Sequence, residues 1–194
     1  MADLLLVAAT ERELCGRPGL VCGVGPVEAA AATARALALE RPQSVLHVGL
    51  AGATGFPPAT LVLGVEALYR DIAAAIPVVD RALPDPQLLA AAREAFPAAP
   101  VVPIVTGAAV SGPRGPREHG LEIEAMEGFG VLRACELAGV PALEVRVVAN
   151  EIGEENRDRW RFEEALDALA DALPRLVETV AEARAARMPA RPEA

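Results

Sequence analysis

Short unbroken apolar runs, separated by stretches with helical spacing, constrain this chain more than any other feature. Leu4 to Ala9 is the first such run, too short for a helix and bounded by polar residues, and Leu20 to Gly23 is a shorter one. Gly25 and Pro26 then open a helix from Val27 to Glu40, with proline at a first-turn position where its missing N–H costs nothing. The alternation continues with a buried strand from Ser44 to Leu50, a small-residue loop from Ala51 to Gly55, and one or two strands from Leu61 to Tyr69. A helix from Asp85 to Phe96, a strand from Val101 to Val105, a helix from Phe129 to Ala138, a strand from Ala142 to Val148 and a last helix from Phe162 to Ala185 complete it. Strands that alternate with helices predict an α/β protein, its sheet largely parallel or mixed and covered by helices on both faces. No Ser/Gly-rich linker and no internal repeat divides the chain, so one domain is expected over residues 1–184, with 185–194 as a disordered tail.

Composition narrows the function classes. Hydrophobic residues make up 53 % of the chain but aromatics only 3 %, and much of the apolar content is alanine, which suits helices packed closely on a sheet. No stretch reaches the ~18 consecutive apolar residues of a membrane span. The start, MADLLLVAAT, lacks a basic region and runs into Glu11, Arg12 and Glu13, so it reads as a first strand and a cytoplasmic protein is expected. A net charge of −9, from 27 acidic against 18 basic residues, opposes a nucleic-acid partner. All the basic residues are arginine, and the absence of lysine excludes both a Walker-type phosphate loop and a lysine Schiff base. Cys15, Cys22 and Cys135 make neither a disulfide frame nor a zinc site and read as ordinary thiols of a reducing compartment. The two histidines, His47 in a strand-like run and His119 in a loop, suggest no metal cluster, and His47 reads as structural. No metal or other cofactor is expected.

The segment from Glu122 to Trp160 carries the chemistry. Glu127 stands at a helix start and Asn150 just past a strand's end, and polar groups at such places face the ligand crevice of α/β proteins. A carboxylate, an amide and an aromatic are thus placed where a nucleoside could be held. Three loops with glycine or small residues follow strands: Cys22 to Pro26, Gly49 to Gly52, and Thr106 to Ala109. Glycine lets backbone approach a flat ligand, although tight connections need it too, and Gly23-Val24-Gly25 lacks the third glycine of a dinucleotide fingerprint.

Taken in order, Ala9-Thr10-Glu11-Arg12-Glu13, Gly23-Val24-Gly25-Pro26-Val27-Glu28-Ala29-Ala30, Val48-Gly49-Leu50-Ala51-Gly52, Glu124-Ala125-Met126-Glu127-Gly128 and Val145-Arg146-Val147-Val148-Ala149-Asn150 resemble the nucleoside phosphorylase and nucleosidase family. The likeness runs from about residue 4 to 170. Asn150 and the following Asn156-Arg157-Asp158-Arg159-Trp160 most resemble its futalosine-cleaving branch, which serves menaquinone biosynthesis. The resemblance implies a three-layer α/β/α sandwich with a central mixed sheet curling toward a barrel, a homo-oligomer of two or more chains, and cleavage of an N-glycosidic bond without a cofactor.

Breaking that bond develops positive charge on the sugar and negative charge on the base, so the sugar must be gripped, the base helped away and a nucleophile delivered. Glu127 suits the first task, because one carboxylate can accept from both ribose hydroxyls through charged hydrogen bonds of roughly 1.5–3 kcal/mol each. Met126 and Glu127 match the family's ribose-holding pair. Asn150 suits the second: its NH₂ can donate to O6 of a 6-oxopurine while its carbonyl accepts the proton at N7, which favours hypoxanthine over adenine. Glu13, at the position of the family's catalytic glutamate, suits the third as the base that activates water, and its charge would repel a phosphate nucleophile. Leu50 stands near where a phosphate-holding serine or arginine would be expected, which also favours hydrolysis.

Trp160 matches an aromatic that caps nucleosidase pockets, and equally suits the core. Arg157 and Arg159 could meet a substrate carboxylate or simply form surface ion pairs. The resemblance sets Ala51, Gly52, Val110 and Ser111 along the substrate, although Ala108, Ala109 and Val110 depart from the family's usual acidic and aromatic residues. Three readings remain open beside the branch it resembles: a methylthioadenosine/adenosylhomocysteine nucleosidase, which Asn150 argues against, a purine nucleoside phosphorylase, and a nucleoside sensor that has lost catalysis.

Overall fold

The first apolar run forms β1 (Leu5–Ala8), buried along its length, which pairs in parallel with β2 (Leu20–Val21) on one side and β3 (Val45–Thr54) on the other. In this computed structural model, which describes residues 4–72, 74–109 and 122–186, the chain continues through α1 (Pro26–Glu40), which precedes β3, to β4 (Leu61–Tyr69), β5 (Arg81–Ala82), α2 (Pro86–Ala95), β6 (Val101–Thr106), β7 (Glu122–Ala125), α3 (Gly128–Ala138), β8 (Ala142–Glu151) and α4 (Phe162–Ala185). Among the described residues all eight strands join one mixed sheet in the order β2-β1-β3-β7-β6-β4-β5, and β8 pairs with both β3 and β4. The pairs β3–β7, β7–β6, β6–β4, β4–β8 and β8–β3 therefore close a ring, the barrel-like part of the sheet.

The period of two along β1 sorts the core into layers. Leu6 and Ala8 face a cluster with Leu88 of α2 and Leu169, Leu173 and Leu176 of α4, whereas Leu5 and Val7 face Ala29 and Leu37 of α1 and Val131 and Cys135 of α3. Helices thus cover both faces, as expected of a three-layer α/β/α protein. A third cluster of Ala51, Ala53, Val62, Ile104, Ile123 and Val148 fills the ring. On α4 the stripe Ala165, Leu169, Leu173, Leu176 and Val180 is buried, and each such leucine contributes about 1.5–3 kcal/mol.

Two boundaries differ from expectation. β3 does not stop at Leu50: the residues read as a loop, Ala51 to Thr54, are paired with β7 on one side and β8 on the other, so sheet hydrogen bonds override their weak strand propensity. β8 likewise runs to Glu151, placing Asn150 inside the strand rather than past it. β7 went unread because it is brief and half acidic, Ile123 and Ala125 turning inward while Glu124 lies on the other face. Val110, Ser111 and His119, and the expected tail from residue 187 onward, lie outside the described residues. Among the described residues no helix is long and apolar enough to cross a membrane.

Candidate active site

Glu127 is the N-cap residue of α3, yet its side chain does not cap that helix. The hydroxyl of Thr106, at the end of β6, takes the N–H of Phe129 instead at 2.8 Å, which releases the carboxylate for other work. Glu127 is 4 % exposed; its Oε1 accepts from the N–H of Gly25 at 3.2 Å, and its Oε2 lies 3.3 Å from Nη1 of Arg146. Gly25 has φ +100°, a region closed to side-chain-bearing residues at little cost, and that conformation directs its N–H inward ahead of α1. Burial first and the charge of Glu127 second push the nearby Cys22 thiol up to about 12. The three cysteines are free thiols, as read.

Glu13 sits in the single-turn 3-10 helix Glu11–Leu14 that follows β1. Its Oε2 accepts from the backbone N–H of Thr10 at 3.0 Å and from the Thr10 hydroxyl at 2.7 Å, while Oε1 accepts from the N–H of Leu50 at 2.9 Å. Three donors thus fix a carboxylate that is 8 % exposed. The Leu50 amide is thus engaged by Glu13.

Between these acids stands a residue whose role sequence reasoning missed, Arg146 of β8, fully buried. Its Nε donates to Oε1 of Glu144 at 2.9 Å, and its Nη2 meets Nε2 of His47. Nδ1 of His47 lies 3.1 Å from the carbonyl of Val7, so the neutral ring donates there and offers Nε2 to the arginine. Burial and then the guanidinium hold His47 well below the ordinary histidine range. Burial alone would lower Arg146, but Glu144, Glu127 and Glu13 outweigh it and keep it charged. Glu144 is pushed up by burial, with Arg146 pulling it partly back.

Nη1 of Arg146, in its ion pair with Glu127, makes no hydrogen bond among the described residues. Glycines make the room. A Cβ on Gly49 would run into Nη1 of Arg146 and come within 2.8 Å of Oε1 of Glu13, and one on Gly128 would run into the carboxylate of Glu144. A methyl at Gly49 would thus touch both the arginine and Glu13, which shows how closely these groups approach across one backbone position.

Asn150, 8 % exposed, turns its Nδ2 to the carbonyl of Glu151 at 2.9 Å. It is paired with Gly52 of β3, just past a register shift that separates this pair from Ala51 and Val148. Met126 bridges β7 and α3 and is partly exposed. Trp160 is not drawn into direct contact with the acids. Its indole donates to the carbonyl of Glu154 at 2.9 Å, its ring packs on Phe162, and Arg157 lies over it at 5.7 Å. The segment is tied back by the N–H of Arg161 on the carbonyl of Ala149, beside Asn150, at 2.7 Å. Arg159 is paired with Glu154 at 3.2 Å, which leaves Arg157 the better placed of the two to meet a ligand. Among the described residues no cluster of histidine, cysteine and acidic side chains could hold a metal.

The pattern defining the phosphorylase superfamily matches residues 16–182. The chain belongs to the phosphorylase superfamily. It is 40 % identical over 183 residues to the futalosine hydrolase of Streptomyces coelicolor, covering 81 % of this chain and 77 % of that one. Among solved structures, the futalosine hydrolase of Helicobacter pylori superposes with a TM-score of 0.80 at 17 % identity, covering 91 % of this chain and 97 % of that one. A 5′-methylthioadenosine/S-adenosylhomocysteine nucleosidase from Colwellia psychrerythraea, in complex with adenine, superposes with a TM-score of 0.75 at 20 % identity, covering 93 % and 94 %. At these identities the structural matches speak for the fold alone, which is the sandwich the sequence predicted.

Proposed function

We propose that this chain is a futalosine hydrolase: a nucleosidase that cleaves the N-glycosidic bond of futalosine, releases hypoxanthine and leaves dehypoxanthine futalosine for menaquinone biosynthesis. The identity to the Streptomyces coelicolor enzyme supports the substrate. The observation that carries the chemistry is that two carboxylates from residues far apart in the chain, Glu127 in an ion pair and Glu13 close by across Gly49, flank the buried guanidinium of Arg146.

Glu127 accepts from the ribose hydroxyls, its backbone donor at Gly25 and Arg146 keeping it oriented. Glu13, held by Thr10 and Leu50, takes a proton from the attacking water. As the bond lengthens, positive charge grows on the sugar beside these carboxylates, where they stabilise the transition state more than the ground state. Asn150 stabilises the departing base at O6 and N7. Ala51 and Gly52, on β3, line the base side, and Met126 lies against the sugar with Glu127. Arg157, exposed over Trp160, is the candidate for the substrate's carboxylate, and Trp160 for stacking. Engagement of the Leu50 amide by Glu13 supports water over phosphate as the nucleophile. We place the enzyme in the cytoplasm as a homo-oligomer, as the family resemblance implies.

The test is incubation of the pure protein with futalosine, inosine and methylthioadenosine, each with and without phosphate. Hypoxanthine released from futalosine at a rate that phosphate leaves unchanged is the expected result. Phosphate-dependent release would make the chain a phosphorylase, preferred cleavage of methylthioadenosine would make it the other nucleosidase, and binding without cleavage would make it a sensor.

A further inference from the structure

We propose that Thr106 is a positioning residue for the sugar-binding carboxylate: its hydroxyl caps α3 in the place of Glu127 and so keeps Glu127 free to receive the ribose. The inference rests on the nucleosidase reading above for what Glu127 does, and on the cap geometry for how Thr106 serves it. The first turn of a helix leaves backbone N–H groups without a partner inside the helix, and the N-cap side chain ordinarily satisfies the one two or three residues on. In α3 the N-cap is Glu127, and the amide two residues on belongs to Phe129. That N–H donates instead to Oγ1 of Thr106, 23 residues earlier in the chain, at 2.8 Å.

Both partners are set for this exchange. Glu127 has φ −119° and ψ −28°, not the extended backbone usual for a capping residue, and its carboxylate is turned to the N–H of Gly25 and to Nη1 of Arg146. Thr106 is fully buried and is the last residue of β6, paired with the last residue of β4, Tyr69, and with the last of β7, Ala125. Its carbonyl accepts from the N–H of Arg70 at 3.2 Å, and the ring of Phe129 stacks on that of Tyr69 at 5.0 Å and 12°. Three strand ends and an aromatic pair thus hold the hydroxyl against the start of α3. The same contacts keep the helix seated when the hydroxyl is removed.

Electrostatics explains why a substitute cap matters here. The amides at the start of a helix attract negative charge, and the N-cap residue of α3 carries one. Left without another acceptor, the N–H of Phe129 would draw the carboxylate of Glu127 onto itself. A carboxylate spent on its own helix has one oxygen fewer for the ribose hydroxyls. The neutral oxygen of Thr106 supplies the acceptor and ends that competition. The effect is selective for the sugar, because in the proposed binding mode the base meets Asn150 and its binding does not depend on where Glu127 points.

The test is Thr106→Val, which keeps the shape and deletes the hydroxyl, with Thr106→Ala as a second deletion and Thr106→Ser as the variant that restores the acceptor. Crystallography of the ligand-free variants, futalosine kinetics and calorimetry with free hypoxanthine are read together. In Thr106→Val the carboxylate of Glu127 should accept from the N–H of Phe129, and kcat/KM for futalosine should fall by about tenfold. Hypoxanthine affinity should stay within about twofold of wild type, and Thr106→Ser should recover most of the lost turnover. A folded deletion variant with Glu127 still on Gly25 and Arg146, or with kcat/KM within about twofold of wild type, would overturn the assignment. So would equal losses of turnover and hypoxanthine affinity, or a loss that serine does not restore, since either marks general damage to the pocket. The two readings separate, because the position of Glu127 in a ligand-free variant is seen whatever the substrate. A wild type that does not cleave futalosine removes the nucleosidase reading, whereas one that cleaves it while Thr106→Val leaves Glu127 in place removes only the role of Thr106.

Discussion

A guanidinium taken out of water loses several kcal/mol of hydration, and the interior repays this only where its partners are well placed. Arg146 has Glu144 on Nε, His47 on Nη2 and Glu127 beside Nη1, an arrangement that pins two of its nitrogens and aims the third between the acids. The proposed division of labour makes Glu13 the group that accepts a proton during the reaction. Glu13→Gln keeps the shape and an oxygen for one of the present donors but removes the basicity. Turnover of futalosine should fall by roughly 10²–10⁴-fold with KM little changed, as steady-state kinetics would show. A kcat close to wild type would remove Glu13 from the role of base. Glu127 and Asn150 stood out in the sequence as polar residues beside apolar runs, where a crevice wall is expected, and Glu13 by its match to the catalytic glutamate of the family it resembles. Arg146 did not, for it is embedded in the run Ala142 to Val148, which reads as a strand buried on both faces. Only the alternation of Glu144 and Arg146 with Leu143, Val145 and Val147 hinted that one face of that strand is polar.

The elements themselves were legible wherever local pattern and tertiary contact agree, as in α4, whose bounds match the apolar spacing from Phe162 to Ala185. They were misread where pairing partners decide. Ala51 to Thr54 has the composition of a loop and becomes strand because β7 and β8 supply hydrogen bonds on either side, which no local signal reports. α4 also holds a residue at odds with its own element, Pro174, on the exposed side of the helix interior. Proline there removes a backbone hydrogen bond and is worse than alanine by about 3 kcal/mol, and the stripe of Leu169, Leu173 and Leu176 holds the helix together around it. Replacing it forfeits about 0.4–1 kcal/mol of unfolded-chain restriction. Pro174→Ala should therefore stabilise the protein by about 2 kcal/mol, read as a higher denaturant midpoint at unchanged slope. An unchanged or lower midpoint would mean that the helix is built around the proline.

At the scale of the molecule, the buried charges set how stability follows pH. His47 and Glu144, both fully buried, pull in opposite directions. Glu144 is raised above its ordinary 4.5, so the folded state binds its proton more tightly than the unfolded state, and this group's contribution declines as pH rises from 4.5 toward the raised value. His47 is lowered below 6.5: the unfolded chain takes up a proton that the folded chain refuses, and stability declines as pH falls below 6.5. The refusal has two sources, loss of solvent and the guanidinium of Arg146 against Nε2, with the carbonyl of Val7 only partly opposing them. Because the two windows overlap, the wild-type curve alone mixes them, and a neutral replacement separates them. Glutamine at position 47 does not titrate but can still offer an oxygen to Arg146. The stability of wild type minus that of His47→Gln, from denaturant melts at each pH, should be flat above about pH 7.5 and fall by about 1.4 kcal/mol at one unit below 6.5. A difference curve that stays flat through that window would mean that His47 titrates alike in the folded and unfolded chains. The ring could not then be the neutral acceptor that holds Arg146 in place.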